Sequence, residues 1–210
     1  MLKSNKHFDL KTSHLLLLLI FLVVIIRVFT AQMILVGGAD TLDTWFAGKR
    51  ILYGLPYDLF HRTARFGAII PVFFTQLIFG THAIVYYVAP SIASLISAIF
   101  MFKTGLMIRG KYFAFTSTLL FLVFPEVLVS GSHPRISSFS VMYMLISFYY
   151  LLKYYQLAKD SEKETAIIKN LLISCFFFFI LYLTKVANLY LLPGFFLAIW
   201  LARKKFKDVF

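Results

Sequence analysis

Long apolar runs separated by short polar segments organise this chain. They cover 15–36, 83–102, 113–129, 138–155, 167–183 and 186–202. A helix rising about 1.5 Å per residue needs runs of this order to cross an apolar layer about 30 Å thick. The pattern predicts an all-α fold: a polytopic membrane helix bundle of about six transmembrane helices, forming one transmembrane domain over residues 1–210. An external loop at 37–82 would carry an amphipathic juxtamembrane pair. The first run follows Lys3, Lys6 and Lys11 as a secretory signal would. Its 22 residues reach about 33 Å, and cleavage after Ala31 would set bulky Phe29 where a small residue is wanted, so it is read as a retained helix.

Two segments need a decision. Residues 66–79 are apolar but only 14 long and contain Pro71, which predicts an interfacial or re-entrant helix. The last two runs share only the Thr184-Lys185 corner and are read as a hairpin. The small residues Ala89, Ala93 and Ser97, with Ser94 and Ala98 on the adjacent row, predict a close-packing face, and Phe176 to Phe179 predict bulk facing lipid.

Composition agrees: 60% of the 210 residues are hydrophobic and 14% charged, which excludes an ordinary soluble domain. The net charge of +12 is no sign of nucleic acid, because the basic residues flank apolar runs. On one side fall Lys3, Lys6, Lys11, Lys103, Arg109, Lys111, Lys153, Lys159, Lys163, Lys169, Arg203, Lys204, Lys205 and Lys207. The other side receives only Lys49, Arg50, Arg62, Arg65, Arg135 and Lys185. The positive-inside rule therefore predicts a multi-pass protein of the cell membrane with both termini cytoplasmic. The single Cys175 lies within an apolar run and has no intrachain partner for a disulfide.

Chemistry-bearing residues concentrate in the external loop. From Asp40 to Tyr53 the apolar positions Leu42, Trp45, Phe46, Leu52 and Tyr53 recur at helical spacing, with Lys49 and Arg50 on the flank. Gly54 and Pro56 then stop the helix. Asp40 and Asp43 stand at its start, where carboxylates favour a helix N-terminus and also meet both lipid-linked and water-soluble molecules.

The run Asp40, Ala47, a basic pair, Ile51-Leu52, Gly54 and Pro56-Tyr57 resembles the first external loop of the GT-C superfamily of membrane glycosyltransferases, of the dolichyl-phosphate-mannose mannosyltransferase kind. Arg65-Phe66-Gly67 leading through Pro71 to Phe79-Gly80 is similar to that group's juxtamembrane helix, and Leu183-Thr184-Lys185 to its Leu-Thr-Lys corner. The likeness runs from about residue 15 to 202. It implies transfer of a sugar from a polyprenyl-phosphate carrier to a glycan or lipid acceptor of the cell envelope on the non-cytoplasmic face. By resemblance Asp40 matches the catalytic aspartate, acting as general base on the acceptor hydroxyl, and Asp43 is the neighbouring carboxylate with freer oxygens.

Arg62, Arg65, Lys49 and Lys185 are the external cations that would hold the lipid phosphate, with interfacial snorkelling as their alternative role. Arg27 lies roughly 14 Å below the external end of its helix and either lines that lipid path or reaches the interface beside Thr30 and Gln32. In the second external loop, where the family carries a further acid, this chain has His133 and Arg135, with Glu126 nearby. His61, His82 and His133 lack metal-ligand spacing, so no metal or other cofactor is expected. Family members continue for several more helices. The corresponding alternative is a non-catalytic or truncated membrane subunit or paralogue that binds lipid carriers or a larger transferase, with a partner subunit supplying the further helices.

Overall fold

Where the apolar runs meet proline or glycine the chain breaks, and the breaks set the architecture. The computed structural model describes residues 10–33, 39–56, 65–159 and 164–207. Its helices are α1 (Leu10–Met33), α2 (Ala39–Leu52), α3 (Phe66–Phe79), α4 (Val88–Arg109), α5 (Lys111–Val123), α6 (Pro125–Ser130), α7 (Ile136–Lys159), α8 (Glu164–Thr184) and α9 (Leu192–Lys207). Short 3-10 helices at Ala83–Tyr87 and Val186–Leu191 lead into α4 and α9, and the described residues contain no strand. The fold is an all-α bundle, as the hydrophobic pattern predicts.

Four helical stretches are long and apolar enough to cross a membrane: Thr12–Thr30 within α1, Ala83–Arg109, α7 and α8. The other two expected spans are differently built. The run 113–129 divides into α5 and the six-residue α6, because Pro125 biases Phe124 to an extended conformation (φ −62°, ψ 126°) and itself suits a helix start. The run 186–202 begins as a 3-10 turn before Pro193 opens α9, leaving a helix shorter than a full crossing. The expected pair at 40–53 and 66–79 is present as α2 and α3. Gly54, at φ 61°, ends α2: its N–H bonds to Ile51 O and that of Leu55 to Arg50 O, the paired closure that a left-handed residue permits.

Side-chain contacts fix the directions of the helices. Ala89 and Ala93 of α4 share a core with Ile136, Phe139 and Tyr143 of α7, while Gln156 of α7 reaches Met107 O of α4, so these two helices run in parallel. Helix α9 returns alongside α8, with Phe178 and Phe195 ring centres 4.5 Å apart, and its Ala198 and Ile199 pack near Leu151, Tyr154 and Ile167. The hairpin at Thr184-Lys185 is thus present, held by Asn188, whose amide donates to Leu181 O and Ser140 Oγ. The α4–α5 and α7–α8 turns lie at one end of the bundle. Helix α2 and the α6–α7 turn lie at the other.

Small residues make the crossings close, as the spacing in α4 predicts: Ala89, Ala93, Ser94, Ser97 and Ala98 are all buried. Ser147 and Ser174 donate to each other's backbone carbonyls at 2.9 and 2.8 Å, joining α7 to α8. Much of the outer surface is apolar, including Leu17, Phe21, Ile78, Leu120 and Trp200. Within the phenylalanine block Phe176 and Phe179 face outward, whereas Phe177 and Phe178 pack inward.

Pro71 has no N–H to offer Gly67 O four residues earlier, and the Tyr143 hydroxyl replaces that donor at 3.0 Å. A Cβ on Gly67 would lie 2.7 Å from Ile180 O and overlap Thr184 Oγ1, so α3 meets α8 at a point that only glycine fits. Gly67→Ala is therefore expected to lower the thermal unfolding temperature of the detergent-solubilised protein clearly. Gly194→Ala, with open space around it, should be neutral or stabilising by up to about 1 kcal/mol. Equal melting temperatures for the two variants would refute this account of the α3–α8 crossing.

Candidate functional site

Helix α2 is clamped onto α3 by one amide. Gln76 Nε2 donates to Trp45 O at 3.0 Å, and its Oε1 lies where a Cβ on Gly48 would come within 2.6 Å. The buried face of α2 is Thr41, Thr44, Trp45, Ala47 and Gly48; Leu42, Phe46 and Ile51 face outward. The sequence pattern thus identified the helix, but it grouped Trp45 with the outward residues. Near the end of α2, the Tyr53 hydroxyl meets Thr81 Oγ1 at 3.2 Å.

This docking brings the first turn of α2 to an aromatic and polar cluster. Trp45 meets Tyr86 edge-on at 5.5 Å, and Tyr86 in turn meets Tyr87 at 5.3 Å. His133 packs against both tyrosines, at 6.0 and 6.4 Å. Thr41 hydrogen-bonds the Tyr86 hydroxyl, and Arg135 lies within electrostatic range of it. Arg135 also pairs at 3.6 Å with Glu126, both partly exposed. His133 is only 2% exposed, and neither ring nitrogen has a hydrogen-bond partner among the described residues.

Behind this cluster lies the deep arginine. Arg27 is 4% exposed, and its guanidinium turns toward α6. Its two terminal nitrogens donate to Leu128 O at 2.9 Å and Val127 O at 3.1 Å, joining the Ser132 hydroxyl on Leu128 O and the Gly131 N–H on Val127 O. The remaining carbonyls there are served by Ser132 N for Val129 O and by the Ser138 hydroxyl for Ser130 O. Gly131 makes room for the guanidinium: an added Cβ would fall on Arg27 Cζ.

Two apolar hollows flank the bundle. One, of about 470 Å³, runs between α1 and α4 past Arg27 and Tyr87. The other, of about 630 Å³, lies among α5, α7, α8 and α9 and is lined almost wholly by apolar side chains such as Phe121, Met144, Phe148 and Phe195.

The residues singled out from the sequence separate into groups. Asp40 is in the first turn of α2, one turn before buried Thr44, and its side chain lies outside the described residues, as does all of Arg62. Asp43 is partly buried and has a partner. Arg65 precedes, and Lys185 follows, the close contact of Gly67 with Thr184, so these two cations border one crossing. Lys49 lies over the Trp45 ring, 5.9 Å from its centre, in a cation–π contact. Of the two roles open to Arg27, facing inward is the one the structure has; it spans from α1 to α6, not to the surface beside Thr30. Among the described residues no three His, Cys, Asp or Glu side chains gather where they could hold a metal ion.

Sequence reasoning missed Tyr86, Tyr87, Thr41 and Gln76. Each lies in or near an apolar stretch and carries no spacing signal; only the tolerance for close approach at Gly48 and Gly131 hinted at partners. Comparison with known protein families, curated proteins and solved structures finds no match for this chain.

Gly131→Ala should displace the Arg27 guanidinium and part this buried charge from the two α6 carbonyls it meets, at an expected cost of about 1–3 kcal/mol. Thermal unfolding in detergent measures it. An unchanged midpoint would show that Arg27 does not hold α6.

Proposed function

We propose that the chain is a multi-pass membrane glycosyltransferase of the GT-C kind, with both termini cytoplasmic and α2 on the opposite face. The single observation carrying this reading is the docking of α2. Its acid-bearing first turn is held beside the Tyr86–His133 cluster, next to a groove between two helices long enough to span a bilayer. A carboxylate at such a place meets a lipid-borne donor from the side and an acceptor from water. Without a match among known proteins, the motif resemblance in α2, α3 and the Thr184-Lys185 corner supplies the reaction class.

In the proposed reaction a carboxylate of α2, with Asp40 as the motif-matched base and Asp43 one turn on, accepts the proton of the acceptor hydroxyl. The hydroxyl oxygen bonds to the anomeric carbon as the bond from that carbon to the phosphate oxygen breaks. Polyprenyl phosphate leaves with the electron pair, and the single displacement inverts the anomeric centre. The charge gained by the leaving phosphate calls for cations, and Arg65 and Lys185 at the α3–α8 crossing, Lys49 on α2, Arg62 in the same loop and Arg27 at the groove are those available.

A second reading is supported by the hollow among α5, α7, α8 and α9. It is open, apolar and of a size to take a helix or lipid from elsewhere, as in a subunit that completes a larger transferase. Turnover by the isolated chain separates the two.

In membranes supplied with a prenyl-phosphate-linked sugar, Asp40→Asn or Asp43→Asn is expected to reduce transfer by about a hundredfold or more, at unchanged protein abundance. Full transfer by both variants would exclude α2 as the source of the base.

A further inference from the structure

The basic residues at the end of the bundle away from α2 are not all alike. Arg109, Lys159 and Lys169 are exposed there, at or near helix ends. Lys103 and Lys153 instead stand six residues before the ends of α4 (Arg109) and α7 (Lys159), about 9 Å further into the bundle, and are partly buried. A lysine at such a depth ordinarily extends its stem toward the water at the helix end. Lys103 leans the other way. Its ammonium lies 5.3 Å from the centre of the Phe100 ring and 5.9 Å from that of Tyr149, both set back from the end on two helices that run in parallel. Lys153 follows Tyr149 by one turn of α7, so the second ammonium stems from the same seam as the first.

Their own helices offer these two charges no counter-charge. No aspartate or glutamate occurs from residue 59 to 125 or from 127 to 159. Among the described residues neither lysine has an ion pair, and Glu164, at the start of α8, is exposed. Asp160 and Glu162 lie in the α7–α8 loop, outside the described residues. The wall beside the lysines is aromatic and apolar. Phe100 meets Tyr149 at 5.3 Å and Tyr150 at 6.1 Å, and Ile96 and Phe177 continue this partly buried surface toward the middle of the bundle. Helix α3 packs beside Ala89, Ala93 and Tyr143, nearer the α2 end.

We infer that this seam binds an anionic diacyl phospholipid, of the phosphatidylglycerol class, from the leaflet facing this end. The headgroup phosphate lies between the ammonium groups of Lys103 and Lys153, and an acyl chain follows Phe100, Tyr150 and Ile96. Charge complementarity selects the headgroup, and the apolar wall selects an anion that carries hydrocarbon over a soluble one. The site is at the opposite end from the acid-bearing turn of α2. It does not rest on the transferase reading and needs only that the bundle spans a bilayer.

The probe is dioleoyl phosphatidylglycerol titrated against the purified full chain in neutral detergent, with dioleoyl phosphatidylcholine and glycerol phosphate as comparisons. The glycerol lipid should bind at least about tenfold more tightly than the choline lipid, and glycerol phosphate at equal concentration should not displace it. In Lys103→Gln/Lys153→Gln that preference should fall to about threefold or less, whereas Lys103→Arg/Lys153→Arg should keep it. Lys159→Gln/Lys169→Gln removes the same charge from exposed positions at the same end and should leave the preference unchanged. Because Lys103 also packs on two rings, Lys153→Gln alone is the variant that separates binding from folding. It should keep the lipid-free melting temperature and weaken the glycerol lipid about threefold or more.

Equal affinity for the two lipids, displacement by glycerol phosphate, or an undiminished preference in both variants that lack Lys153 would each overturn the site. So would an equal loss in Lys159→Gln/Lys169→Gln, which would assign the preference to overall charge. Sugar transfer is read separately, through the α2 variants.

Discussion

A helix that stops within an apolar surrounding must satisfy its last carbonyls from nearby donors, and the end of α6 is where this chain meets that demand. Pro125 ends the preceding helix, and at the end of the short α6 Val127 O keeps the Gly131 N–H while Leu128 O is served by side chains, those of Ser132 and Arg27. A guanidinium from α1 provides the fork that reaches two of these carbonyls, and Gly131 provides the space. The position of α1 against the bundle, the level of the α6–α7 turn and the burial of His133 all follow from this arrangement. Truncating the arginine would therefore alter three elements.

The docking of α2 and α3 depends on related economies. Pro71 leaves Gly67 O without its helical donor, and Tyr143 of α7 makes up for it. Gln76 reaches across to the α2 backbone, so two polar bonds fasten an otherwise apolar pair to the core. The helix bearing Asp40 and Asp43 is thereby held by backbone-directed bonds instead of side-chain packing alone. Such bonds suit a site whose geometry has to be kept while its outer face, with Leu42 and Phe46, stays apolar.

How much of this the sequence disclosed depends on whether the signal was periodic or positional. The helices, the α2–α3 pair, the stop at Gly54, the hairpin corner and the small-residue face of α4 were legible because each rests on local spacing or a backbone preference. The division of 113–129 was written in Pro125 but outweighed by continuous hydrophobicity. In α2, Trp45 was assigned with Leu42 and Phe46 because an apolar ring suits either face, and only its partners Tyr86 and Gln76 decide. Arg27 was recognised as too deep for a simple surface charge, yet its acceptors lie a hundred residues away in the chain and have no side-chain signature. For the same reason His133 read as a loop residue: nothing local to Ser132-His133-Pro134 says that two tyrosines close over it.

The Ser147 and Ser174 pair, finally, is reciprocal. Each hydroxyl is bound to the carbonyl of the residue that carries the other, so sliding α8 along α7 by a single residue would break both bonds together. The two helices therefore have one permitted alignment, and it is specified near their midpoints, far from either mouth of the bundle. From that fixed level the Thr184-Lys185 corner and the start of α7 are set at a constant height relative to one another. Any rearrangement of the bundle then falls to the elements outside this locked pair.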